Sequence, residues 1–364
     1  MTVVTDAQAD PRTPGQRIDQ RGRAELEFVV ALRTGMTGAL RPKVRRRIEE
    51  SGVLAPETGI DTADIVAVRE AVDPVVEAAA AHRFQAASLR WSREISTPRG
   101  VEAFDRRREL LEPMATPSAP VEDLTDGDVP RYWTYEFHAT EGGWDGHDHM
   151  GFVHHEMVYQ YLLTKIYGGG GDIFALRRAF ADRAPADTYA DIVDLGCGTG
   201  QYTLKLAEAY PEARITALDL SQSELNYAQR RAEDAGLDIS FRRAAAERTG
   251  LPDESADLVT SYILLHEMPP HAIKSVFAEA YRLLRPGGHV HFGDVGAYAT
   301  RSGYDAWNDD WDAEHGNEPW WRLAATTDIA EIAREAGFVD VERYELLPGG
   351  HPMGTTARKP LQED

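Results

Sequence analysis

Cysteine is nearly absent: Cys197 is the one thiol in 364 residues. A lone thiol allows no intrachain disulfide and no cysteine-based zinc site, and a reducing cytoplasm is the expected setting. Long apolar runs are missing as well. No stretch approaches the roughly twenty residues of a membrane helix. Residues Met1–Gly15 lack the apolar centre of a secretory leader and read as a disordered tail. Positive charge is scarce: 39 Lys plus Arg face 60 Asp plus Glu, a net charge of -21. Such a surface repels phosphate backbones and anionic lipid heads, so neither nucleic acid nor a membrane is an expected partner. The basic cluster Arg41 to Arg47 runs into Glu49 and Glu50 and reads as a solvated helix face, with an anion site for the substrate as the sharper alternative.

What is present divides into two halves. Residues 16–167 are mainly helical in pattern, a candidate cap and substrate domain, and residues 172–364 form a second domain. In the first half, Ala24 to Met36 carries a broad apolar face. A helix start is expected at Asp61–Asp64, a break at Pro74, and separate helices over 78–89 and 101–111. Thr116–Pro130 reads as a linker and Tyr132–Phe137 as strand-like. A His-rich segment follows, with His147, His149, His154 and His155, and Gly168–Gly171 reads as a hinge. From Asp191 onward strands alternate with helices. Strands are expected over 192–195, 214–218, 239–242, 258–264 and 289–294, with a closing pair over 339–347 and 353–358. That alternation predicts an α/β fold, a Rossmann-like doubly wound sheet with an α-helical N-terminal cap.

The stretch Ile192–Gly200 organises the second half. An apolar run ends in Asp194 and turns through Gly196, Gly198 and Gly200 into a helical pattern. Glycines there let the backbone bend tightly and let a ligand approach the main chain. Asp219 closes the next strand, where an acid hydrogen-bonds the ribose of an adenosine-containing ligand. The glycines are each two apart, and the dinucleotide fingerprint requires two residues between its second and third glycines to seat a pyrophosphate. A cofactor bearing a sulfonium and an ammonium instead of phosphate is favoured by a nearby carboxylate such as Asp194.

With these residues in place, Val193–Gly200 resembles the first motif of class I S-adenosylmethionine-dependent methyltransferases. Ala217–Ser221 resembles their acidic second motif. Ala246–Val259 is similar to the stretch leading from the adenine pocket into strand four, and Leu283–Gly288 to the turn before strand five. The resemblance covers about Asp172 to Lys359; the N-terminal half resembles no family we identify. It implies S-adenosyl-L-methionine as cofactor, held by Asp194, Gly196, Cys197, Gly198, Gly200, Asp219, Leu220, Ala246 and Glu247. One departure is Ala245, where related proteins often carry an Asp against the adenine amino group.

The expected reaction is methyl transfer to the O, N or C of a small molecule, in a setting of secondary metabolism. His266 follows strand four and is a candidate base, as are His154 and His155. His147, His149, Glu267, Trp307 and Trp311 are candidate substrate contacts. The His spacing matches no standard zinc pattern, and no metal is assigned. The glycines around that segment suit a mobile lid. A homodimer through the helical half is left open. The rival readings are a nicotinamide-dependent oxidoreductase and a non-catalytic cofactor-binding module.

Overall fold

A computed structural model describes residues 17–167, 174–347 and 352–361. The expected tail, Met1–Gly15, and the expected hinge, Gly168–Gly171, lie outside the described residues. The chain divides into two compact units, but not at a single boundary. Residues 116–135 belong with the C-terminal unit, and residues 301–318 belong with the N-terminal one. The two-domain division at 167 and 172 is therefore crossed twice, because both segments pack by side chains and not by sequence order.

The C-terminal unit holds an eight-stranded sheet: β1 (Glu122–Asp123), β2 (Asp191–Leu195), β3 (Arg214–Asp219), β4 (Ile239–Arg243), β5 (Ala256–Tyr262), β6 (Leu284–Asp294), β7 (Val339–Glu345) and β8 (Met353–Arg358). Their order is β1-β4-β3-β2-β5-β6-β8-β7, as the doubly wound reading requires. Strands β1 to β6 pair in parallel, and β8 runs antiparallel between β6 and β7. Helices 203–209 and 222–235 cover one face, packing Leu206 on Ile192 and Ile215, and Leu225 and Ala228 on Ala217 and Phe241. Helix 270–283 covers the other face, where Phe277 meets Phe292 edge-on with centroids 5.0 Å apart. Ser221 starts its helix as expected: its hydroxyl accepts from the Glu224 backbone N–H at 3.1 Å, and Gly236 at φ +67° ends it. The winding direction reverses between the neighbours β2 and β5. In open α/β sheets a ligand binds at such a switch point, beyond the carboxyl ends of the strands.

Three local expectations are corrected here. The supposed linker 116–130 contains edge strand β1, paired with β4 through Glu122–Arg242 and Asp123–Arg243. The aromatic block is not a strand. Arg131–Thr134 and Phe137–Ala139 are tight 3₁₀ turns. Strand β5 ends at Tyr262, not 264, because Ile263 turns into the left-handed region at φ +62°.

The N-terminal unit packs helices 20–35, 41–51, 65–77, 80–105 and 108–115 with a helical segment from Met150 and with helix 303–316. Helix 65–77 continues through Pro74, and residues 80–105 form one helix through Pro98, where two were expected. The buried stripe of that long helix explains the misreading. Between Leu89 and Ala103 it runs through Ser92, Ser96, Thr97 and Gly100, which are small or polar and interrupt the apolar periodicity. Gly100 permits a close crossing, since an added Cβ would stand 2.8 Å from Val153 Cγ1. The basic cluster is a helix face held by ion pairs: Arg45 with Glu49 at 2.9 Å and Arg41 with Asp312 at 2.5 Å.

Candidate functional site

The glycine turn leaves β2 at the switch point. Gly196 and Gly198 adopt φ of +69° and +51°, a region other residues enter only with strain. Their surroundings differ. A Cβ on Gly196 would stand 2.6 Å from Leu264 Cδ1, so this glycine is demanded by the loop after β5. A Cβ on Gly198 would meet nothing nearer than Glu224 Oε2 at 3.9 Å, so the space above it is open. The turn is tied to β3 by Asp219, whose Oδ2 accepts from the Gly198 backbone N–H at 2.8 Å and whose Oδ1 accepts from that of Ser221 at 2.8 Å. Cys197 is buried, and its N–H donates to the Leu218 carbonyl at 2.9 Å. Arg231, on the helix after β3, donates to the Thr199 carbonyl at 2.5 Å; burial lowers its basicity to about 10.

Asp194 lies beneath the turn, 1% exposed. The Thr203 hydroxyl donates to its Oδ2 at 2.6 Å. Burial pushes this carboxyl up to about 7; the Thr203 bond opposes the shift and the charge of Asp219 adds to it. A ligand cation near this group would favour its ionised form.

The loop after β4 brings the remaining cofactor candidates to the same sheet end. The Ala244 N–H donates to the Asp219 carbonyl at 3.0 Å, and Arg243 Nε donates to the Leu220 carbonyl at 2.8 Å. Ala245 and Ala246 are buried. Glu247 Oε1 accepts from the Tyr132 hydroxyl at 2.7 Å, while its Oε2 is buried with no hydrogen-bond partner among the described residues. Burial, then the Glu247 charge, keep the Tyr132 phenol neutral. An orphaned buried carboxylate oxygen, Asp194 and Asp219 make a site rich in acceptors. That donor chemistry fits a cationic ligand carrying hydroxyls and an amino group, and it does not fit a pyrophosphate.

Beyond β5 and β6 stands a second constellation. Ile263 is β-branched at positive φ, a strained backbone of the order of 1–3 kcal/mol. Its N–H donates to the Gly293 carbonyl at 2.7 Å, which holds the strand end in place. His266 follows, 3% exposed, with Nδ1 3.0 Å from Asp294 Oδ1 and Nε2 3.4 Å from Glu267 Oε1. Asp294 Oδ2 also accepts from the Leu265 N–H at 2.6 Å. Burial alone would depress His266; the charge and hydrogen bond of Asp294, with Glu267 on the other nitrogen, outweigh it and raise the imidazole well above its ordinary range. Trp321 lies edge-on to the ring at 5.0 Å.

The other candidates lie in the helical unit. Trp307 and Trp311 are buried in its core, and Trp307 Nε1 donates to Asp73 at 2.8 Å. His147 Nδ1 accepts from the His149 N–H at 3.1 Å, and its Nε2 lies between Arg108 Nη2 at 3.0 Å and Asp105 Oδ1 at 3.2 Å. His149 Nε2 lies 3.4 Å from Glu112, and burial lowers its basicity. His154 and His155 are both buried in a widened helical stretch, Val153–Leu163, and His154 meets Trp144 edge-on at 5.0 Å. His147 and His149 thus form a pair that shares Phe104, with ring centroids 6.2 Å apart.

Sequence reasoning missed Thr203, Arg231, Tyr132 and Asp294. Asp294 alone had a readable signal, being an acid that closes a buried strand as Asp194 and Asp219 do. Tyr132 had none, because its block reads as strand-like and its partner Glu247 is 115 residues away.

A model of a methyltransferase domain matches residues 192–288. The 27-O-demethylrifamycin SV methyltransferase of Amycolatopsis mediterranei is 32% identical over 173 residues, covering 46% of this chain and 60% of that protein. The malonyl-[acyl-carrier protein] O-methyltransferase of Hahella chejuensis is 30% identical, covering 47% and 59%. The chain thus spans about three-fifths of the length of these relatives. A solved structure of Haemonchus contortus phosphoethanolamine N-methyltransferase 2 with S-adenosyl-L-methionine is 18% identical, with a TM-score of 0.43 over 52% of this chain and 53% of that one. No helix among the described residues is long and apolar enough to cross a membrane.

Proposed function

Starting from a chain whose residues 192–288 match the model of a methyltransferase domain, we propose that this protein is a class I S-adenosylmethionine-dependent methyltransferase acting on a small-molecule acceptor at O, N or C. The observation that carries the reading is the Asp219 carboxylate, which joins the glycine turn to the helix after β3 by two 2.8 Å bonds at the sheet's switch point. S-adenosyl-L-methionine supplies an electrophilic methyl on a sulfonium. Asp194, Gly196, Cys197, Gly198, Gly200, Asp219, Leu220, Ala246 and Glu247 would hold it, with Asp219 accepting from the ribose and Asp194 offering negative charge to its cationic end.

His266 takes a different role in this reading from that of a base. Both ring nitrogens of this buried histidine are engaged, Nδ1 by Asp294 at 3.0 Å and Nε2 facing Glu267 at 3.4 Å, and the Asp294 charge favours its protonated form. Its work is to lock the loop after β5 to β6 through Asp294. Rate acceleration then rests mainly on holding nucleophile and methyl in line. The net charge of -21 supports a small acceptor over nucleic acid, and secondary metabolism is the proposed setting.

Calorimetry with S-adenosylhomocysteine and with NAD tests the donor. Saturable binding of the first and none of the second is expected; tight NAD binding would overturn the reading in favour of an oxidoreductase. Labelled-methyl transfer to a panel of phenols, carboxylic acids and amines tests turnover. Binding without transfer to any member would favour the non-catalytic module.

A further inference from the structure

Residues 116–135 precede the sheet in sequence and belong to its unit in space. Edge strand β1 pairs in parallel with β4, and just past it the Leu124 N–H donates to the Arg243 carbonyl at 2.8 Å. The Asp123 carboxylate braces this turn. Its Oδ1 accepts from the Thr125 N–H at 2.8 Å and from the Thr125 hydroxyl at 2.7 Å, and its Oδ2 accepts from Arg243 Nη1 at 3.0 Å. Further on, Asp128 Oδ2 accepts from Arg248 Nη2 at 2.6 Å, and the chain enters the 3₁₀ turn Arg131–Thr134. The segment thus tracks the loop after β4 from Arg243 to Arg248, and it delivers Tyr132 to that loop.

The Tyr132 hydroxyl donates to Glu247 Oε1 at 2.7 Å. The two oxygens of a carboxylate share one plane, so fixing the first aims the second. That second oxygen, Oε2, is buried with no hydrogen-bond partner among the described residues. A carboxylate oxygen shut off from water without a donor is costly, and a ligand N–H set against it recovers that cost. Burial, the Glu247 charge and, after these, the Asp219 charge keep the Tyr132 phenol protonated, so the hydroxyl stands within electrostatic reach of both acids. Strand β3, which Asp219 closes, lies between β2 and β4. A nucleoside with its ribose on Asp219 and its cationic end toward Asp194 of β2 brings its base to the β4 side. There Ala244, Ala245 and Ala246 offer no polar side-chain atom, and Glu247 is the acceptor that follows them.

We propose that Tyr132 is a positioning residue for the nucleobase of the donor. It fixes Glu247 so that Oε2 accepts from the exocyclic amine of adenine, and the site thereby selects an aminopurine over a purine without that group. A carboxylate only accepts, so it rewards an amine and repels a carbonyl at the same place. The proposal rests on S-adenosylmethionine being the donor. It adds to that reading a residue from outside the glycine-turn motifs, and a chemical basis for choosing the base.

The full chain is titrated by calorimetry with S-adenosylhomocysteine and with its analogue whose purine lacks the exocyclic amine. The unmodified protein is expected to bind S-adenosylhomocysteine at least about tenfold tighter than the analogue, as one charge-assisted hydrogen bond provides. Tyr132→Phe keeps the ring and removes the hydroxyl. It is expected to weaken S-adenosylhomocysteine by about tenfold, to leave the analogue unchanged, and so to bring the ratio close to one. Glu247→Ala removes the acceptor itself and is expected to level the ratio as well. Equal binding of the two ligands by the unmodified protein overturns the proposal and leaves the donor reading standing, whereas no binding of S-adenosylhomocysteine at all overturns both. A ratio retained in Glu247→Ala overturns the proposal. So does a Tyr132→Phe protein that retains the ratio or loses both affinities in equal measure, the second being what a merely structural residue produces.

Discussion

His266 Nδ1 lies 3.0 Å from Asp294 Oδ1, and this pair joins the loop after β5 to the end of β6. The Asp294 charge favours the protonated form of His266. A histidine whose folded value is raised contributes stability that is fully present below its unfolded value of about 6.5 and is lost as pH rises through the folded value. The melting temperature is therefore expected to decline on the alkaline side of neutrality. Asp294→Asn removes the charge that raises His266, so its imidazole resonances should titrate at lower pH and the alkaline decline should flatten. An unchanged His266 titration in Asp294→Asn would refute the pairing. Turnover in His266→Gln should fall together with stability, without the loss of a basic limb that removal of a general base produces.

Asp219→Ala should weaken S-adenosylhomocysteine by roughly 10- to 100-fold, since the ribose loses a charged acceptor at about 1.5–3 kcal/mol, and the turn also loses the acceptor of two backbone N–H groups. Asp219→Asn keeps an acceptor oxygen and should lose less. Calorimetry distinguishes them, and equal affinity for wild type and Asp219→Ala would remove Asp219 from the site.

Asp194 gives a pH dependence of its own. Its carboxyl is pushed up to about 7, so the fold favours the protonated form and the stability this contributes is lost as pH rises from about 4 to about 7. A cationic ligand favours the ionised form. Affinity for S-adenosylmethionine is thus expected to rise as pH climbs through about 7, with proton release on binding at pH 6 measurable from the heats in two buffers. Thr203→Val removes the 2.6 Å bond and should shift this rise to higher pH.

Two glycine variants should separate stability from binding. Gly196→Ala adds strain and a contact at 2.6 Å with Leu264, so its melting temperature should drop the more. Gly198→Ala bears only the backbone strain, about 1–2 kcal/mol, and places its methyl in open space over the turn. It should lose proportionally more cofactor affinity than stability. Thermal melts paired with S-adenosylhomocysteine titrations read both.

Local patterns were enough for the sheet unit. Apolar runs closed by acids, three glycines at intervals of two, and the Ser221–Glu224 cap are each specified within a few residues, because strand burial, positive φ and capping are local demands. The order of β1 to β6 follows from parallel crossovers of one hand. Long helix 80–105 reads as two because its buried face between Leu89 and Ala103 is Ser, Thr and Gly, and apolar periodicity cannot report a face packed through small residues. Trp307 and Trp311 read as candidate substrate contacts because tryptophans mark cores and pockets alike, and both are buried in the helical unit.

The sequence by itself determined the doubly wound sheet and the motifs of the donor site, since both depend on contacts between near neighbours and on backbone angles that glycine alone accepts easily. Tertiary structure decided the pairing of His266 with Asp294 and the hold of Tyr132 on Glu247. Each depends on groups between 28 and 115 residues apart meeting in a low-dielectric interior, and no local pattern encodes such a meeting.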